Sequence, residues 1–302
     1  MKRKKRANAI GLCTEDRIMY AVVYVLMGLL IVVIAYPLVY VVSCSFSSGN
    51  AVSAGRVLLW PVEFSLTGYR IVFNYKQVWT GYYNTIFYTV TATALNVVLT
   101  TMAAYPLSRK NFQGRKLCMT LFMVTMFFSG GIIPSYILKT QLHIVNTRWA
   151  ILLTGSISVY NMVVMRTFFQ NSIPGDLLEA ARLDGISDIG YLLRIVIPLS
   201  KAVFAVITLY YAVAHWNSYF NAMMYLRDRN LYPLQLVLRD ILNAANVDLS
   251  QISDPEILRQ LSGASDVMRY SLIVISTVPM MAAYPIVQKY FKQGVMIGSV
   301  KG

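Results

Sequence analysis

The sequence predicts an all-α fold, a polytopic membrane helix bundle with six transmembrane helices. Three observations carry this. Of 302 residues, 57% are hydrophobic and only 13% charged, about half the ~25% charge of an ordinary soluble domain, and mean hydropathy is +0.54. The apolar residues gather in six long runs, each near the ~20 residues needed to cross a bilayer core. The basic residues behind the net charge of +14 fall in short clusters between those runs. That is the positive-inside pattern and not a stripe on one face, so a nucleic-acid partner is not indicated.

In chain order, residues 1–17 form a basic N-terminus. Its opening, Met1 to Arg6 (Met-Lys-Arg-Lys-Lys-Arg), suits a solvated cytoplasmic anchor or the n-region of a signal peptide. The apolar run that follows, Ile18 to Val42, is longer than a signal h-region of about 7–15 residues. It therefore reads as an uncleaved first span, although Val41-Val42-Ser43-Cys44 faintly imitates a lipoprotein cleavage box. Pro37 is expected to kink it. Ser43 to Thr80 reads as an external loop with some local structure, and Trp60, Trp79, Tyr82 and Tyr83 suit the headgroup level of a membrane.

Span two is expected over Asn84 to Leu107, followed by the basic turn Ser108 to Lys116. Span three runs from Leu117 to Leu138. Gly130-Gly131 and Pro134 near its end mark either a broken helix lining a path or the outer helix end. A short outer loop, Lys139 to Arg148, leads to span four, Trp149 to Phe169. The polar stretch Asp176 to Leu199 separates it from span five, Leu199 to Tyr225. A second polar segment, Leu226 to Arg269, precedes span six, Tyr270 to Phe291, which contains Pro279 and Pro285. With both termini inside, 17 of the 27 basic residues fall on the cytoplasmic side. Most of the others lie in the two longer outer loops, which weigh less in setting orientation.

Little in the chain suggests chemistry of its own. No GxxxxGK[ST] loop, Gly-x-Ser-x-Gly or His-Glu-x-x-His occurs. Cys13, Cys44 and Cys118 form no CxxC, and with two histidines, His143 and His215, no metal site is indicated. Ionisable groups within the spans are scarce: His215 in span five and Arg166 near the inner end of span four. An ion-coupled carrier keeps such groups at mid-membrane, so the energy for any transport is expected from a partner. Span five holds the most polar intramembrane cluster, His215-Trp216-Asn217-Ser218-Tyr219-Phe220-Asn221. His215, Trp216, Asn217, Tyr219 and Asn221 are candidates for a substrate path, where aromatic faces beside hydrogen-bonding groups suit a sugar. Interhelical hydrogen bonding is the alternative use of the same residues. The segment 226–269, including Tyr232-Pro-Leu-Gln-Leu, reads as a lid, a docking surface or a structured loop closing the bundle; its length favours a role.

The stretch Asp176 to Leu199 looks built to be touched. Asp176 and Glu179 open a helix as a variant capping box, and Leu177, Leu178, Ala181 and Leu183 form its apolar stripe. Asp184-Gly185 is a turn signal. Ser187 then caps a second helix, and Pro198 marks the way into span five. Glu179-Ala180-Ala181, Asp184-Gly185 and Ile195-x-Ile197-Pro198 resemble the EAA loop of ABC importer permeases, with Ile197 where leucine is usual. Tyr105 to Arg109, Gly131 to Pro134, Val164 to Phe169, Trp216-Asn217 and Gln288 to Gly302 extend the resemblance to the carbohydrate class and over nearly the whole chain.

The resemblance implies a MetI-like, type I ABC importer permease of the bacterial plasma (inner) membrane, working by alternating access. It implies a second homologous permease subunit, a cytoplasmic ABC ATPase dimer carrying the ATP and Mg, and an extracellular or periplasmic solute-binding protein. No cofactor is implied in this chain. Glu179, Ala180, Ala181, Asp184, Gly185 and Pro198 would couple to the ATPase, with Glu179 ion-paired in its groove, and the 226–269 loop would touch the binding protein. An oligosaccharide is the expected cargo. A permease for a non-sugar solute and a self-sufficient secondary transporter are the rival readings.

Overall fold

The computed structural model describes residues 14–244, 263–282 and 285. Among them every regular element is helical. In chain order these are α1 (Thr14–Ser45), α2 (Gly49–Ser53), α3 (Thr67–Asn74), α4 (Lys76–Ser108), α5 (Arg115–Phe127), α6 (Ile132–Gln141), α7 (Arg148–Leu152), α8 (Val159–Ser172), α9 (Asp176–Leu183), α10 (Asp188–Tyr191), a π turn (Leu192–Val196), α11 (Ile197–Leu199), α12 (Lys201–Trp216), α13 (Phe220–Tyr225), a 3-10 turn (Arg229–Leu231) and α14 (Leu234–Ala244). A last helix, α15, spans 263–282. The basic run Met1 to Arg6, Cys13, residues 245–262 of the second outer segment and the tail from Gln288 lie outside the described residues.

Met1–Arg70 with Leu249–Val274 group into one compact unit, and Ile71–Asp248 with Ile275–Gly302 into another. In the first, α1 is one unbroken helix of 32 residues that runs through Pro37, and it buries only Ser43, Cys44 and Ser45 at its end. A helix apolar all round and this exposed suits lipid. Cys44, Ala51, Val52, Val57 and Val267 make a small core beside it. The loop after α2 is tied by Glu63, which accepts from Ser48 Oγ and from Arg56 Nη2 (2.8 Å). The Ser48 hydrogen bond, and then Arg56, hold its carboxyl below the usual range.

In the second unit α4 is the spine. It is 33 residues long, about 50 Å at 1.5 Å per residue, and α12, α8 and α14 all pack on it. At its N-terminal end Asn84 Nδ2 donates to Asn230 O (2.7 Å) and Tyr232 O (3.1 Å), and Tyr88 OH to Leu231 O (2.9 Å). Thr85 Oγ1 accepts from Leu234 N (2.8 Å), so a side chain of α4 caps the start of α14. The absence of a side chain at Gly81 allows this approach: a Cβ there would stand 3.1 Å from Leu234 Cα. Part of the segment read as an outer loop is thus helical and packed. Leu234, Leu236, Val237, Leu238 and Ile241 are buried, which is the structured-loop alternative over 226–244.

Among the described residues two helices, α1 and α4, are singly long and apolar enough to cross a membrane, and four spans result if each bent pair counts as one. The expected third span is the pair α5 and α6, bent by 114° at Gly130-Gly131. The fifth begins with the pair from Asp188–Leu199 to Lys201–Trp216, bent by 84°. The fourth is interrupted between α7 and α8, and the sixth runs beyond the described residues.

Two outcomes are expected. Gly81→Leu forces α14 off α4 and costs about 1–3 kcal/mol, as overpacking does, read as a lowered thermal midpoint of the purified protein. The lowered Glu63 carboxyl stabilises its loop at pH values above the ordinary carboxylate pKa of about 4, and that contribution is lost as pH falls through the folded value. Protection factors of the 48–63 amides, taken relative to the intrinsic exchange rate at each pH, should therefore fall on acidification, and this acid-dependent step should be absent in Glu63→Gln.

Candidate translocation path and coupling hairpin

A cavity of ≈670 Å³ lies beside the middle of α4. Asn96, Thr154, Ser158, Asn161, His215 and Ser218 are among its polar lining residues, with Tyr210, Tyr211 and Asn221. Among the described residues every polar group on this wall is a hydroxyl, amide, imidazole or backbone group, and no Asp, Glu, Lys or Arg lines it. The wall exists because the fourth expected span breaks between Leu152 and Val159, with Gly155 at φ +70°. Backbone freed at membrane depth has to be satisfied by protein or by a water-filled cavity. Here Ser158 N–H donates to Tyr211 OH (2.9 Å), which also meets Thr100 Oγ1 (2.7 Å). The Asn96 amide nitrogen, oriented by its neighbours, donates to Ala92 O (2.9 Å) and Ser156 O (3.3 Å). Its oxygen then accepts from His215 Nε2 at 2.8 Å, which assigns the proton of that ring to Nε2.

Of the five path candidates, His215 and Asn221 line this cavity. Trp216 does not: it is buried and its Nε1 donates to Ser276 O (3.2 Å). Asn217 is the C-cap of α12 and its amide returns to Val213 O (3.0 Å). Tyr219 is exposed, with Arg239 over its ring at 6.0 Å. Successive helix residues point about 100° apart, so a run of polar residues cannot all face one way. The 3–4 spacing of Tyr211, Ala214, His215 and Ser218 is the signal that marks the lining face of α12. Thr154-Gly155-Ser156 escaped notice because it sits inside an apolar run.

At the other end of α4 the stretch 176–199 folds as a hairpin. Asp176 is the first residue of α9 and Gly175 its N-cap, so Asp176 and Glu179 favour the positive end of the helix as charges in the first turn rather than as a cap. Gly185 has φ +71°, a conformation glycine adopts without Cβ strain. Ser187 caps α10 by accepting from Gly190 N (3.1 Å). Pro198 lies in α11, just before the bend into α12.

The expected apolar stripe divides. Ala181, with Leu178 against it, joins the core of Tyr105, Met165, Phe169, Tyr191 and Val196, while Leu177 and Leu183 face outward. Tyr105 OH donates to Asp188 O (3.2 Å), and the Arg109 guanidinium lies 4.7 Å from the Tyr105 ring centre and 5.5 Å from that of Tyr191. Arg109 Nε and Nη2 are buried without an acceptor, so the ring faces are its main contacts. The outward face carries Glu179, Ala180 and Asp184, all exposed, beside Leu183 at 90% and Ile189 at 72% exposure.

The chain is 34% identical to the polygalacturonan/rhamnogalacturonan transport system permease protein YtcP of Bacillus subtilis, over 95% of this chain and all of that one. It belongs to the permeases of carbohydrate ABC importers. The permease is also 37% identical to the protein LplC of Bacillus subtilis, over 88% of this chain and 89% of the relative. In fold it matches the crystal structure of a bacterial ABC transporter involved in the import of the acidic polysaccharide alginate, with TM-score 0.84, 36% identity and coverage of 92% and 98% of the two chains. No family model matches. As a permease it is an all-helical, multi-pass membrane subunit and is not itself an ATPase.

Arg109→Ala removes both ring contacts that pin the hairpin to α4. With cation–π contacts worth about 1–2 kcal/mol when desolvated, amide exchange of 184–192 should speed up about tenfold while that of the middle of α4 stays unchanged.

Proposed function

We propose that this permease moves an oligosaccharide through the cavity beside Asn96, His215, Ser218 and Asn221 by alternating access. ATP hydrolysis on a separate ATPase dimer drives it through the hairpin of Glu179, Ala180, Ala181, Asp184, Gly185 and Pro198. The observation that carries this is the division of α4: neutral hydrogen-bonding groups surround a cavity at its middle, and an acidic hairpin with unpartnered leucine and isoleucine is fastened at its C-terminal end. Neutral donors and acceptors beside tyrosine match a hydroxyl-rich, C–H-faced cargo. Exposed Leu183 and Ile189 beside Glu179 match a groove with an apolar floor and a basic rim.

The hairpin end faces the cytoplasm on this reading. Both termini are cytoplasmic, the membrane is the bacterial plasma (inner) membrane, and a second homologous permease completes the path. A solute-binding protein delivers the sugar at the N-terminal end of α4, where residues 230–234 pack, and touches the 226–269 loop. The names of the relatives, polygalacturonan/rhamnogalacturonan for one and the acidic polysaccharide alginate for the other, favour a polysaccharide fragment over a small sugar.

Glu179→Lys combined with Gly185→Asp tests the coupling. The double variant should insert in the membrane at the normal level, lose copurification of the ATPase and reduce uptake to background. Normal uptake with a retained ATPase would place the coupling elsewhere.

A further inference from the structure

The end of α4 away from the hairpin holds cations that no carboxylate among the described residues neutralises. Lys139, in the last turn of α6, is half-buried. Its Nζ donates to Thr154 Oγ1 (2.6 Å) and lies 3.4 Å from the ring centre of Tyr225, which is itself buried. Tyr136 stacks on Tyr225 at 6.2 Å, and its hydroxyl accepts from Arg227 Nη2 (3.1 Å). Arg148 lies over the Phe87 ring at 4.8 Å. Among the described residues Lys139, Arg148 and Arg227 have no ion-pair partner. Asp228, next to Arg227, turns its carboxylate to the N–H of Asn230 (2.9 Å).

Thr154 joins this cluster to the path, since it both accepts from Lys139 and lines the cavity. Among the described residues the lining has no formal charge of its own, so no carboxylate there competes with the ammonium one hydroxyl behind it. Taking an ammonium out of water is costly unless its charge is met, and an aromatic face offsets only part of that cost. A neutral sugar would leave the remainder in place; a sugar bearing carboxylates would meet it, and would feel it strongly in a low-dielectric site.

We propose that the mouth of this path selects oligosaccharides that carry carboxylates, uronate oligomers, with Lys139 as the main counter-charge and Arg227 as the second. This rests on the reading of the cavity as an oligosaccharide path. Lys139 positions and attracts; the hydroxyl and amide lining holds the rest of the sugar.

The test compares uptake of trigalacturonate with that of its carboxyl-reduced counterpart, a galactose trisaccharide, by the full transporter expressed with its partner subunits. Rates at sugar concentrations well below saturation give an acidic-to-neutral ratio. Lys139→Gln should lower that ratio about tenfold, Arg227→Gln about threefold, and Lys139→Arg should preserve it. A ratio unchanged in Lys139→Gln, or acidic and neutral rates falling together, overturns the proposal. Should Lys139→Gln fail to assemble, the Arg227→Gln ratio decides, and an unchanged value there overturns it equally. Wild-type uptake of the neutral trisaccharide alone overturns the charge selection and spares the oligosaccharide reading. Uptake of neither trisaccharide, nor of any member of a wider oligosaccharide panel, removes that reading as well.

Discussion

The hydroxyl of Tyr211 is the contact on which the second unit depends. It accepts the N–H of Ser158, freed where the fourth span breaks, and it meets Thr100 on α4. A lipid core supplies no water to a broken backbone, and each unsatisfied group there costs several kcal/mol. The break is therefore tolerable only while α12 and α4 stay in register beside it. Asn96 does the same for Ser156 and ties in His215. These bonds hold open the space that a continuous fourth helix would fill, so the cavity and its polar lining follow from one requirement.

The hairpin is held by different physics. Ala181, Tyr191 and Val196 sink into the core beneath it, and the Arg182–Asp188 pair on its surface (3.5 Å) is too exposed to add much. Arg109 between two tyrosine rings is the more substantial contact, because its buried donors find no acceptor and the ring faces are what it touches. From the hairpin the chain passes through a π turn and a bend of 84° into α12. On the proposed reading, force applied to the hairpin passes along this succession of short helices to the helix that lines the cavity.

Some of this was legible in the sequence because it depends on local chemistry. The charge-free run of α1 is a helix whatever surrounds it. Gly185 announces its positive φ, and Ser187 its cap, from residue type alone. The interrupted fourth span was not legible, since its break is stabilised by Tyr211, far along the chain, and Thr154-Gly155-Ser156 is too short to lower the hydropathy of its run. The polar cluster from His215 to Asn221 reads as one block in the sequence. Helical geometry then divides it, sending His215 and Ser218 to the cavity and Trp216 to Ser276. The helical packing of 234–244 was hidden for a similar reason: its apolar face becomes meaningful only once Gly81 and Thr85 of α4 provide the surface it meets.

Charge is distributed along α4 in a way that separates two tasks. The hairpin displays acidic and apolar groups next to the basic turn 108–116; among the described residues no formal charge lines the cavity, and Lys139, Arg148 and Arg227 stand without ion-pair partners at the far end. A charged group within the lining would hold an oppositely charged cargo in place and exclude a neutral one, in either orientation of an alternating-access cycle. Moving the charge one hydroxyl back, behind Thr154, lets it bias what arrives while the neutral wall sets how long it stays. On the proposed reading, the same separation keeps the hairpin's carboxylates remote from Lys139, Arg148 and Arg227, so the hairpin and an anionic cargo need not compete for those cations. On the proposed reading, selection and drive occupy opposite ends of one helix about 50 Å long, and the Thr100–Tyr211–Ser158 bonds at its middle are where the two must meet.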